Sequence, residues 1–229
     1  MKYAELSDRA KEKARDWYLD ASSGDDFWSE CVIEDFVEVA SYMGFVIVKD
    51  TRKISGGRMS TTPRVCWEGF STQGSGASFS AWFHFEGGCE ATKRIAEHAP
   101  NDEELRTIAV TLETALAMFR MQYPKFDGLQ LHVDTNTYRS VHSAGMSIGE
   151  SLYDRMEYLD ATLADPEAED ALIDAAQTVQ DAVLTAAQAL ADWLYNRLET
   201  EWDYQCSEEA VADSCGANEY EFDEEGERL

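Results

Sequence analysis

Positive charge is what this chain has least of. It holds 19 Lys and Arg against 45 Asp and Glu, a net charge of −26 over 229 residues. A surface that negative is repelled by phosphate backbones and by anionic lipid. Direct binding of nucleic acid or membrane is therefore not expected, whereas a cationic partner stays open. Proline is scarce too, with 4 residues, and glycine numbers only 14, which excludes collagen-like and Pro-rich linker classes. No apolar run reaches the length of about 18 residues that spans a bilayer. The opening stretch MKYAELSDRAKEKARDWY carries too many charges for a secretory signal, so the expected location is the cytoplasm. Five cysteines (Cys31, Cys66, Cys89, Cys206, Cys215) form no CxxC pair and are odd in number, which reads as reduced thiols rather than a disulfide framework.

Enough apolar residues are present to build a core: 44% are hydrophobic and 11% aromatic, so the chain is not disordered throughout. Helical spacing runs over residues 4–20, with an N-cap offered by Leu6-Ser7-Asp8, and over 25–43, which Gly44 ends. Phe45–Val48 reads as a strand. Residues 49–64 read as a loop broken by Gly56, Gly57 and Pro63. Arg64–Phe70 and Ala77–Phe85 read as a hairpin around the turn 71–76, with Phe79, Ala81, Phe83 and Phe85 alternating against Ser78, Ser80, Trp82 and His84. Residues 89–98 and 102–122 read as helices, Leu129–Val133 and Tyr138–Met146 as strands, and Ser151–Leu163, 167–204 and 207–215 as helices. Runs of helices and strands segregated in this way predict an α+β fold. The expectation is an antiparallel sheet of about five strands packed with helices, a long C-terminal helix and an acidic tail. Residues 1–149 would form the helical N-terminus and sheet core, with a helical, strongly acidic region at 150–229 packed on the same domain. Ala175, Ala176, Ala182, Ala186 and Ala187 permit close helix packing within the chain or in a homodimer.

The sequence argues against several chemistries. Gly145-Met146-Ser147-Ile148-Gly149 matches G-x-S-x-G, the nucleophile elbow of serine hydrolases. In that fold the catalytic histidine follows the serine, yet His84, His98, His132 and His142 all precede Ser147. A serine-dependent hydrolase is thus the weakest of three functional readings, and no catalytic residue is assigned. His132 and Asp134 would share one strand face but make only two ligands, and the terminal acids lack EF-hand spacing, so neither a metal nor a cofactor is expected. Gln73, Gly74 and Gly76 mark a polar loop tip of the kind that carries binding function. Lys49, Arg52, Lys53, Arg58 and Arg64 cluster in or beside one loop; they could contact phosphates, but in a chain this acidic they are read first as offsetting local acids or touching the acidic C-terminal region.

Charge is unevenly distributed. Residues 1–149 carry 22 acids and 16 bases, whereas 150–229 carry 23 acids and 3 bases. Carboxylates at helical spacing can imitate the phosphate row of duplex DNA, which presents one charge per about 1.7 Å of axis. The candidate partner-binding residues are Glu199, Asp203, Glu208, Glu209, Asp213, Glu219, Glu221, Asp223, Glu224, Glu225 and Glu227, with Trp202 and Tyr220 as aromatic anchors. The plainer alternative is a solvated helix face with a frayed tail, in which Trp202, Tyr204, Tyr220 and Phe222 only dock the C-terminus onto the domain.

Three stretches, LSDRAKEKARDWY at 6–18, WEGFSTQGSGASFSAWF at 67–83 and ADWLYNRLETEWDYQCSEEAVADSCGANEYEFDEEGER at 191–228, resemble a family of small acidic phage and prophage proteins. Some of its members are labelled antitoxin of a toxin–antitoxin stability system. The resemblance implies a protein-neutralising role. Phage context adds a second expectation by analogy: inhibition of a host defence complex, CRISPR effector or restriction enzyme, by occupying its nucleic-acid site. The leading expectation is such a non-enzymatic, DNA-mimicking inhibitor in the host cytoplasm, and the alternative is an antitoxin that binds a partner toxin.

Overall fold

The structure is a computed structural model. It describes residues 1–229 except 23–26, 55, 71–73, 125–127, 136–140 and 160–165, and of 157–159 and 166–168 it describes the backbone only. The fold is α+β. Its helices are α1 (Asp8–Ala21), α2 (Phe27–Tyr42), α3 (Ala91–His98), α4 (Glu103–Gln122), α5 (Leu152–Leu159), α6 (Pro166–Gln205) and α7 (Glu208–Ala217). Its strands are β1 (Phe45–Ile47), β2 (Lys49–Lys53), β3 (Met59–Pro63), β4 (Val65–Glu68), β5 (Gly76–Phe79), β6 (Ala81–His84), β7 (Gln130–Thr135) and β8 (Met146–Ile148). They form a four-stranded antiparallel sheet in the order β1-β6-β7-β8 and two antiparallel pairs, β2-β3 and β4-β5. The chain divides into two compact units, residues 1–32 with 196–229, and residues 33–195.

In the unit 33–195, alternation decides which strand residues enter the core. Phe79, Ala81, Phe83 and Phe85 are fully buried, and Leu131 and Val133 lie on the same side of β7. Phe45 and Phe83 meet at 4.8 Å between ring centroids and Phe36 and Phe79 at 5.1 Å. Leu105, Leu112 and Leu116 bury the inner stripe of α4. Asp102 caps that helix through the amide of Leu105 and accepts a second bond, 2.9 Å, from the Trp193 indole of α6. Gly44, at φ +89, lets the chain turn from α2 into β1: a Cβ there would lie 2.7 Å from the Gly88 amide nitrogen.

The strands are more continuous than their pairing suggests. β1 runs into β2 through Val48, β3 into β4 through Arg64, and β5 into β6 through Ser80. At these three residues each long strand changes partner. Val48 N–H donates to Ser80 O (2.8 Å), Ser80 N–H to Arg64 O (3.0 Å) and Arg64 N–H to Val48 O (2.7 Å), closing a ring of three backbone bonds. The hydroxyls that line this junction are buried but satisfied. Ser80 donates to Asp134 Oδ1 at 2.7 Å, and Ser78 and Thr135 share a bond of 2.7 Å. Asp134 also accepts from the Thr135 amide. Burial alone would raise its carboxyl, but the Ser80 and Thr135 bonds, helped by His132 and Arg64, outweigh it and hold the group below the ordinary value.

Two expectations need correcting. Residues 49–64 are not a loop but chiefly the β2-β3 ribbon, with Gly56 and Gly57 at positive φ in its turn. The alternation of a strand was invisible because nearly every ribbon residue is exposed on both faces. The strand expected to end at Met146 begins there: Ser143–Gly145 is a 3-10 turn, and 136–140 lie outside the described residues.

In the unit formed by residues 1–32 and 196–229, Tyr3, Leu6, Ala10 and Ala14 pack with Val211, Cys215 and Phe222. Ser7 and Ser207 cap α1 and α7. The end of α7 is a Schellman turn: Tyr220 N–H donates to Cys215 O and Glu219 N–H to Gly216 O, with Glu219 in the left-handed region at φ +55.

Candidate functional site: an acidic and aromatic face

The last residues are an ordered hairpin. Phe222 and Arg228 form an antiparallel bridge, and Leu229 N–H donates to Glu221 O at 2.9 Å. Asp223 organises the turn by accepting from the amides of Glu225 and Glu227, both at 2.9 Å. Gly226, at φ +87, approaches α1 so closely that a Cβ would fall 2.2 Å from Ala10 O. Phe222 is fully buried, edge-on to Trp17 at 5.7 Å and to Tyr3 at 6.3 Å. Its backbone exchanges two bonds with Met1, 2.6 and 2.9 Å. Tyr220 lies edge-on to Trp17 at 5.3 Å, with the Arg228 guanidinium 4.6 Å from its ring.

This docking sorts the predicted carboxylates into two groups. Three meet lysines of the N-terminal segment: Glu221 with Lys2 (3.4 Å), Glu208 with Lys11 (3.3 Å) and Glu227 with Lys13 (2.6 Å). The Glu227 bond, and behind it the charges of Glu227, Asp223 and Glu225, hold the Lys13 ammonium above its ordinary value. These pairs are largely exposed, so they contribute little compared with the buried Phe222 ring. Asp223 is spent on the turn. Glu199, Asp203, Glu209, Asp213, Glu219, Glu224 and Glu225 have no basic side chain within ion-pair distance among the described residues.

Helix geometry brings some of the second group together. Glu199 and Asp203 stand four apart on α6, and Glu209 and Asp213 four apart on α7, so each pair shares a helix face. Like charges at that spacing oppose helix formation by about 0.2–0.5 kcal/mol per pair, a cost that a cation between them removes. Glu208 and Glu209 occupy the first turn of α7, where the helix dipole favours them. Beside Glu199 and Asp203, Trp202 is 38% exposed and Tyr204 48% exposed. Trp202 packs on Trp28 of α2 at 5.6 Å, and the neighbouring Phe27 is 69% exposed. The sequence candidates include Trp202 but not Trp28, whose place beside it depends on the fold. Of the two predicted anchors, Trp202 is at the surface, while Tyr220 is half-buried and holds the tail.

The remaining candidates lie in the other unit. Gly74 is exposed at φ +117, Gly76 is buried in β5 against His142, and Gln73 lies outside the described residues. Ser147 sits mid-strand in β8 opposite Asp134, not on a strand-to-helix elbow. His132 lies against Trp82 at 4.6 Å between centroids, the rings tilted by 45°. Among the described residues no group of three or more His, Cys, Asp or Glu could hold a metal ion, and no helix is long and apolar enough to cross a membrane.

An α+β protein whose C-terminal segment carries several carboxylates outside any ion pair among the described residues is the class these observations define. The chain belongs to the family described as Domain of unknown function (DUF8835), which it matches over residues 28–208. No curated protein and no solved structure matches it.

Proposed function

We propose that the protein is a phage-encoded, non-enzymatic inhibitor whose acidic face occupies the cationic nucleic-acid-binding surface of a host defence complex, a CRISPR effector or a restriction enzyme. The observation that carries this reading is a set of seven carboxylates that make no ion pair among the described residues, two of which, Glu199 and Asp203, stand next to the exposed Trp202 and Tyr204 on α6. A cationic groove relieves the mutual repulsion of these groups, and the indole and phenol supply the desolvated contacts that give an interface its affinity. The test is competition: labelled nucleic acid bound to purified effectors and restriction enzymes is titrated with this protein. Displacement should weaken as salt rises. The fourfold variant Glu199→Gln, Asp203→Asn, Glu209→Gln, Asp213→Asn should displace at least tenfold less well. Equal displacement by the variant, or none by the native protein at low salt, would refute the proposal.

The Trp28–Trp202 pair, with Trp202 at the surface and the exposed Phe27 adjoining Trp28 in the chain, favours a second reading, an antitoxin that covers a toxin by apolar contact. Binding of that kind depends on Trp202 and is nearly indifferent to salt.

A further inference from the structure

We propose that the β2-β3 ribbon is a DNA-binding arm that lies in the major groove of a duplex and contacts its phosphates. The inference rests on a different surface from the acidic face and stands or falls separately. In residues 49–64 there are five bases and one acid, in a chain where acids outnumber bases more than twofold. That one acid is neutralised: the Arg64 guanidinium holds Asp50 through bonds of 2.6 and 3.2 Å, and the same bonds, with the charges of Arg64 and Arg52, keep its carboxyl below the ordinary range. Lys49, Arg52, Lys53 and Arg58 have no acidic partner at ion-pair distance among the described residues, and all four are exposed. The expectation that this cluster offsets local acids therefore holds for Arg64 alone.

Strand register puts these four cations on both sides of the ribbon. Lys53 pairs with Met59 and Arg52 with Ser60, so Lys49, Thr51, Lys53, Met59 and Thr61 share one face. Arg52, Ile54, Arg58, Ser60 and Thr62 share the other. Each face thus carries two free cations and a set of hydroxyl donors. A flat acidic protein surface could meet only one face. A nucleic-acid groove has phosphates along both walls, and the major groove of B-form DNA, about 12 Å wide, admits a two-stranded ribbon. Exposed Ile54 and Met59 near the turn suit contact with base edges and thymine methyls.

The net charge of −26 does not forbid this contact. Five strand residues extend roughly 17 Å beyond the junction at Val48. That is about two Debye lengths at physiological salt, so the outer cations are largely screened from charges at the base of the ribbon. Nor does a two-stranded ribbon exposed on both faces have a core of its own. Its ladder is anchored at the base by the backbone ring at Val48, Arg64 and Ser80, and a groove would supply packing that neither face has.

The experiment measures anisotropy of a labelled 30-base-pair DNA duplex with the full-length protein. Four phosphate contacts predict a slope of log affinity against log salt of about −3.6, a loss of roughly 150-fold between about 50 and 200 mM. Each of Lys49→Gln, Arg52→Gln, Lys53→Gln and Arg58→Gln should reduce that slope by about 0.9. The fourfold variant, with its melting curve unchanged, should not bind. Absence of binding by the native protein at low salt overturns the proposal, as does binding that survives in the fourfold variant. Sedimentation on the same samples adds a further way to fail: self-association that the fourfold variant abolishes, without any DNA binding, makes the arm's partner the acidic surface of a second copy.

Discussion

Replacing Phe222 with alanine is the sharpest test of whether the acidic tail is a fixed surface. The ring is fully buried, and it touches Trp17 and Tyr3 edge-on at 5.7 and 6.3 Å. Burying a phenylalanine contributes about 1.5–3 kcal/mol, and each edge-on aromatic pair about 0.5–1.5 kcal/mol more. Those terms agree with the cost of about 3–5 kcal/mol observed for Phe-to-Ala changes in cores. The ion pairs at Lys2, Lys11 and Lys13 are too exposed to make up that loss. Hydrogen exchange reads the effect directly, because the amides of Phe222, Asp223 and Leu229 donate to Met1, Glu227 and Glu221. Even the lower figure of about 3 kcal/mol corresponds to roughly a 150-fold drop in protection, at about 1.36 kcal/mol per factor of ten. The melting of residues 33–195 should move far less, since Phe222 lies outside that unit. The reasoning fails if the tail amides exchange freely in the native protein, or if their protection is unchanged in Phe222→Ala.

Two other predictions concern strain and pH. Glu219 adopts the left-handed conformation that glycine favours, at a cost of about 1–2 kcal/mol for a residue with a Cβ, so Glu219→Gly should raise the melting temperature; a fall would refute the strain argument. Asp134 is held below its ordinary carboxyl value of 3.8, so the stability it contributes is complete above that pH and is lost as pH falls through the lower folded-state value; thermal melts from pH 7 to pH 2 should show a smaller acid-side loss for Asp134→Asn than for the native chain.

Much of the architecture was legible in local pattern. Leu6-Ser7-Asp8 offers a cap, and within it the Ser7 side chain accepts from Ala10. Gly44 was read as a helix stop, and the chain turns there at φ +89. The alternation of Phe79, Ala81, Phe83 and Phe85 named one wall of the core. Alternation failed at Ser78 and Ser80, which are buried as well, because the strand changes partners there and both of its faces are covered. It failed again at 49–64, where neither face of the ribbon is buried and side-chain polarity carries no period.

For the candidate surfaces the division falls elsewhere. Composition alone determined that the chain is strongly anionic, that the excess lies in its last third, and that one short stretch is basic. These are sums over residues and need no coordinates. Which charges remain available is a matter of pairing, and pairing was decided by the fold. Lys2, Lys11 and Lys13 find Glu221, Glu208 and Glu227 only because the two ends of the chain share one small core. Asp50 finds Arg64 only because β2 continues past a junction of three strands. Local sequence fixes periodicity because neighbouring residues share one helix or strand. An ion pair across some two hundred residues depends on where the chain returns to itself, and packing decides that.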